Sequence, residues 1–75
     1  MSTNYAMTVK SNSTVGYWEN CNAKTERGAK CEAWKRFGAG YNGDSVEIAI
    51  RHNDGQVQTV ARRTIGVSTK WVPCV

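Results

Sequence analysis

Residues 46–63 constrain the chain most. Val46, Ile48 and Ile50 alternate with Glu47, Ala49 and Arg51; Asn53-Asp54-Gly55 follows, and then the run from Gln56 to Arg63. A period of two marks a half-buried strand, and Asp-Gly between two such runs marks a hairpin. Two registers compete. A three-residue loop with Gly55 in the left-handed region sets Ile48 opposite Val60. A two-residue Asp54-Gly55 loop sets Ile48 opposite Ala61 and Glu47 opposite Arg62. The first register brings Val60 to the isoleucine face and buries more apolar surface, so it is the one expected.

The rest of the chain reads mostly as strand. Tyr5, Met7 and Val9 alternate with Ala6, Thr8 and Lys10, Ser11-Asn12-Ser13 makes a turn, and Thr14 to Trp18 fits a second short strand. Glu19 to Gly28 is polar and loop-like. Lys30 to Phe37 fits a strand with Cys31, Ala33, Lys35 and Phe37 on one face and Glu32, Trp34 and Arg36 on the other. Residues 25–37 are also the best place for a helix, being rich in helix formers, but Gly28 inside that stretch counts against it. Strand is the expectation. Gly38 to Asp44 is a glycine-rich connection, Gly66 turns the chain, and Thr69 to Val75 forms a last strand whose Pro73 confines it to an edge. The expected fold is a single all-β domain over residues 1–75, a small antiparallel sandwich or barrel of five to six strands.

A chain of 75 residues buries only about 60% of its unfolded surface, so its core is thin and a covalent staple would help. The three cysteines are Cys21, Cys31 and Cys74. A Cys21–Cys31 bridge would close the polar stretch from Asn22 to Lys30 and contribute on the order of 2–3 kcal/mol. It would leave Cys74 free or paired with a second chain. The competing state is three reduced thiols, favoured because nothing signals export: Met1 to Ala6 is polar and shows no leader. That points to the cytoplasm, with a mature exported form as the alternative. No apolar run is long enough to cross a bilayer, so no membrane partner is expected. The expected state is a monomer or a weak homodimer, joined through Cys74 or through an uncovered sheet edge.

Chemistry-bearing constellations are sparse. His52, the only histidine, stands beside a hairpin turn, where a general base would lack a nucleophile and a closed pocket. Cys21, Cys31, Cys74 and His52 supply four ligands by count, but no two form the close pair that a structural zinc site uses. Gly38, Gly40 and Gly43 lack the Lys-Ser/Thr sequel of a phosphate loop. Neither catalysis nor a metal nor a cofactor is expected.

The net charge of +4 favours acidic partners, whether nucleic acid, an anionic surface or an acidic protein. Aromatics and cations interleave at Trp34-Lys35-Arg36-Phe37, with Arg62-Arg63, Lys70-Trp71 and Arg51 as further cations. Such sets build hot spots for protein partners, and also stack bases and meet phosphates on single-stranded nucleic acid. In so small a domain most tryptophans belong to the core, and Trp18 and Trp71 are expected there. Trp34 is expected to be exposed. The expected contact set is Trp34, Lys35, Arg36 and Arg62. The leading function is a non-enzymatic module that docks a rigid surface on a protein partner, an inhibitor being one form of this. The alternative is single-stranded nucleic-acid binding by the same face, distinguished by a continuous cationic stripe rather than an apolar centre with a polar rim.

Gly55 to Val60, Ile65-Gly66 and Cys74-Val75 resemble the tendamistat family of microbial α-amylase inhibitors, over less than half of the chain. That resemblance implies a two-sheet β-sandwich with an inhibitory turn at Trp34-Lys35-Arg36-Phe37. The cysteine spacing departs from that family's two-disulfide pattern.

Overall fold

The structure is a computed structural model, and it describes residues 4–11 and 17–74. Its elements in chain order are β1 (Asn4–Lys10), β2 (Glu19–Cys21), α1 (Glu26–Phe37), β3 (Ser45–Arg51), β4 (Val57–Thr64) and β5 (Val72–Pro73). The strands form one antiparallel sheet in the order β2-β1-β3-β4-β5. This corrects the expected all-β sandwich or barrel. The sheet is single and open, and the second layer of this compact domain is a helix.

The stretch expected to be a strand over Lys30–Phe37 is the second half of α1. Gly28 counts against a helix only in an interior turn. Thr25 is the N-cap, with its hydroxyl accepting from the Gly28 amide at 3.1 Å. Gly28 is therefore the third helical residue, in the first turn, where its flexibility costs less than in the interior. Glu26 in the first turn and Lys35 and Arg36 in the last suit the helix dipole. The helix buries only Ala29 and Ala33 fully, and these small side chains let it lie close against the sheet.

Cross-strand pairs set the inner face. Tyr5, Met7 and Val9 stand opposite Ile50, Ile48 and Val46. Tyr5, Met7, Val46 and Ile48 are buried with Cys21, Ala29, Ala33, Ala61 and Ile65 in the core, and Val9 and Ile50 pack against it. The helix packs on β1, β2 and β3. It cannot cover more: five strands at about 4.8 Å spacing span about 19 Å, roughly twice the width of one helix. The inner face of β4 and β5 therefore extends beyond α1. The reverse face also buries small and polar residues, namely Ala6, Thr8, Glu47 and Ala49. Thr8 donates its hydroxyl to the Tyr17 carbonyl at 2.9 Å, and Lys10 pairs with the buried Glu47 at 3.4 Å.

The β3–β4 hairpin combines the two competing registers. Near its tip Arg51 faces Val57 and Ala49 faces Thr59, around a three-residue loop with Gly55 at φ +88°. The register then shifts, and Ile48 faces Ala61 while Glu47 faces Arg62. Val60 is the extra, bulged residue. The expected Ile48–Val60 pair is thus replaced by Ile48–Ala61. Val60 still packs against the core, because a bulge lets neighbouring side chains share a side. The expected strand from Thr14 to Trp18 is not found at its end: residues 14–16 lie outside the described residues, and Tyr17 and Trp18 precede β2 without strand pairing.

Candidate functional site

The uncovered flank holds the most distinctive surface. Along α1, Arg27, Lys30, Cys31, Trp34 and Lys35 are spaced so that they share one side of a helix. Arg63, from the inner face of β4, and Trp71, just before β5, meet them from the sheet. Together these seven residues line a groove of about 350 Å³. Its floor is aromatic. The Trp34 and Trp71 rings meet edge to face with centroids 6.2 Å apart. The Arg63 guanidinium lies 3.8 Å from the Trp34 ring centre, close enough for cation–π attraction. Gly38 makes room for this arrangement, since a side chain there would run into the Trp34 ring.

The rim is cationic. Arg27, Lys30, Lys35 and Arg63 border the groove, and among the described residues no carboxylate lines it. Lys30 pairs with Glu26 at 3.2 Å, one helical turn back. Cys31 is exposed in the groove wall.

The residues expected from sequence divide. Trp34 and Lys35 are in the groove. Trp34 is half-buried rather than free, and it packs against the core together with Trp71. Arg36 turns away: its Nε lies 3.6 Å from Glu19 Oε1, and its guanidinium sits over Phe37 at 5.4 Å. Arg62 faces Glu47 and Val72 across the sheet, which places it on the reverse face while Arg63 takes the inner one. Trp18, expected in the core, is half-buried and lies outside the core cluster. Arg27, Lys30, Arg63 and Trp71 line the groove and lie outside the expected contact set. The spacing of 27, 30, 31 and 34 groups the helix residues only when the stretch is read as a helix.

The Cys21–Cys31 bridge is absent, and all three cysteines are free thiols. The helix explains this. Cys21 is buried at the sheet–helix interface, whereas Cys31, two positions from the buried Ala29 and Ala33, projects to the opposite side of α1. Burial pushes the Cys21 thiol above its ordinary pKa; a hydrogen bond at the Ala23 backbone opposes this, while the Glu32 carboxylate adds to it. Glu32 also accepts the Asn22 amide at 3.1 Å, tying the β2–α1 connection to the helix.

His52 is exposed at the hairpin tip, where its Nε2 lies 3.3 Å from Gln58 Oε1. Among the described residues no three His, Cys, Asp or Glu side chains are grouped to hold a metal ion, and no helix is long and apolar enough to cross a membrane. The single sheet departs from the sandwich that the amylase-inhibitor resemblance implied, and Trp34-Lys35-Arg36-Phe37 is the last turn of α1, not an exposed hairpin turn. No known protein family, curated protein or solved structure matches the chain.

Proposed function

We propose that this chain is a non-enzymatic binding module that docks an acidic segment of a protein partner into the groove between α1 and the β4–β5 flank. The observation that carries this reading is the groove's composition: an apolar Trp34–Trp71 floor bordered by Arg27, Lys30, Lys35 and Arg63. An apolar centre with a charged border is the pattern of protein interfaces, and aromatic and arginine side chains dominate their binding energy. Four cations with no carboxylate among the described lining residues call for a negatively charged occupant. The groove walls belong to a helix and a sheet, so docking costs little ordering entropy.

Single-stranded nucleic acid fits less well. A base needs an open ring face to stack upon, and one face of Trp34 already carries Arg63 while Trp71 meets the same ring.

Titration by tryptophan fluorescence tests the proposal, using a Glu-rich peptide with a central leucine and, separately, a mixed-sequence single-stranded oligonucleotide. The peptide should bind saturably and more weakly at higher salt. Charge reversal at the exposed Arg27 and Lys35 together (Arg27→Glu, Lys35→Glu) should weaken it by at least about tenfold, equivalent to ~1.4 kcal/mol. Tight oligonucleotide binding with no peptide binding would replace this reading with the nucleic-acid one. Binding unaffected by the charge reversals would remove the groove from the site.

A further inference from the structure

A second cavity, of about 430 Å³, lies at the far flank of the sheet, where the ends of β1 and β3 meet the chain leaving β2. Its walls carry Asn4, Asn20, Asn22, Lys24 and Arg51, with Tyr5 and Cys21 beneath. The strand register assembles it. Asn4 stands directly opposite Arg51, and Asn20 stands opposite Ala6, two positions from Asn4 along β1, so these three polar side chains share one face of the sheet. Among the described residues two cations and three amides line the cavity, and no carboxylate does.

Arg51 is the distinctive member. Its Nε is buried and has no hydrogen-bond partner among the described residues. Leaving a buried donor of a charged group unsatisfied carries its full desolvation penalty, and native proteins do so rarely. Arg51 is only partly buried as a whole and lines the cavity, and the planar fork of its guanidinium matches the oxygens of phosphate and carboxylate. The asparagines supply donors and acceptors for neutral polar groups beside such a head. The volume lies within the range of small-molecule sites.

We propose that this cavity binds the oxyanion head, phosphate or carboxylate, of a small polar ligand, with Arg51 and Lys24 holding the charge and the three asparagines orienting the rest. The site is separate from the tryptophan groove and stands or falls independently of it.

The test is an NMR titration of the ¹⁵N-labelled protein with inorganic phosphate in one arm and acetate in the other, at constant ionic strength set by chloride. The Arg51 Nε–H resonance reports the orphaned donor directly. Saturable shifts confined to Arg51 and the segment around Asn22 and Lys24 are expected with at least one anion, and the stronger arm identifies the head group. Lys24→Gln, in an exposed connection, should weaken binding by roughly fivefold to tenfold without altering the rest of the spectrum, and Arg51→Gln should abolish it. Linear shifts in both arms, shifts of equal size at Arg36 and Lys70, or an unchanged titration in Lys24→Gln would overturn the proposal. Any of these results would leave the tryptophan groove untouched, since its residues report separately.

Discussion

The guanidinium of Arg63 lies 3.8 Å from the centre of the Trp34 ring, and its Nε donates to the Ser68 carbonyl at 3.4 Å. One side chain thereby joins the helix, β4 and the turn that leads to Trp71. Replacing Arg63 with alanine should cost about 1 kcal/mol, the sum of a partly desolvated cation–π contact and the packing of the arginine stem. Urea unfolding followed by tryptophan fluorescence measures it. Arg63→Lys keeps the charge but loses the flat stack and should fall between the two. Equal stability of all three proteins would show that the stack carries no weight.

Gly38 offers a test in which the sign is informative. Its φ of −66° and ψ of −14° suit any residue, so backbone entropy alone would make Gly38→Ala stabilising by about 0.4–1 kcal/mol. The added carbon would, however, lie 2.8 Å from Trp34 ring atoms and 2.5 Å from the Trp34 carbonyl oxygen. Overpacking should win, giving a net loss of about 1–3 kcal/mol and a shifted tryptophan emission as Trp34 moves. A stabilised Gly38→Ala protein would mean that the ring does not lean on this turn.

Three strands were legible because their residue types alternate. β1 and β3 turn Tyr5, Met7, Val9 and Val46, Ile48, Ile50 toward the helix and fill the reverse face, which is buried as well, with small or polar residues such as Ala6, Thr8, Glu47 and Ala49. The helix was not legible, for a physical reason. It buries two alanines, too little apolar surface to impose a 3.6-residue pattern, and its glycine lies where helices tolerate one. β2 is three residues long and pairs only with β1, so no period can appear in it. Trp34 and Lys35 of the expected contact set fall together in the groove for a reason that sequence can carry, because they are neighbours on one helical side. The choice between Arg62 and Arg63 was not of that kind. It depends on the bulge at Val60, which sets the face of every residue after it.

The cysteines separate two accessibilities that a disulfide would have merged. Cys31 is exposed and Cys21 is buried, so a thiol reagent should modify Cys31 at once and Cys21 only as the protein opens. The raised Cys21 pKa also couples stability to pH. The folded state holds that proton more tightly than the unfolded chain, whose ordinary value is 9.0. Stability from this group is therefore complete below pH 9 and declines as pH rises through 9 toward the higher folded value. Urea midpoints across that window should fall for the native sequence and fall less for Cys21→Ala. Parallel curves would show that Cys21 ionises equally easily in both states.

The bulge makes its own prediction. Val60 stands outside the pairing: Thr59 faces Ala49, and Ala61 faces Ile48. Deleting Val60 therefore leaves every other cross-strand pair in place. Its cost is one partly buried valine and some local twist, about 1–2 kcal/mol. Deleting Arg62, two residues on, is a different event. Arg63 would then take the place opposite Glu47, on the reverse face, and Thr64 would turn inward. The Trp34 ring would lose its guanidinium, and the cationic rim of the groove would lose one member. The Val60 deletion should keep a folded amide spectrum and the native tryptophan emission at reduced stability. The Arg62 deletion should change that emission and lose more stability than Arg63→Ala, because it moves two residues rather than one. If the Val60 deletion unfolds the protein while the Arg62 deletion is tolerated, the hairpin does not hold the register described here, and the face assigned to Arg63 goes with it.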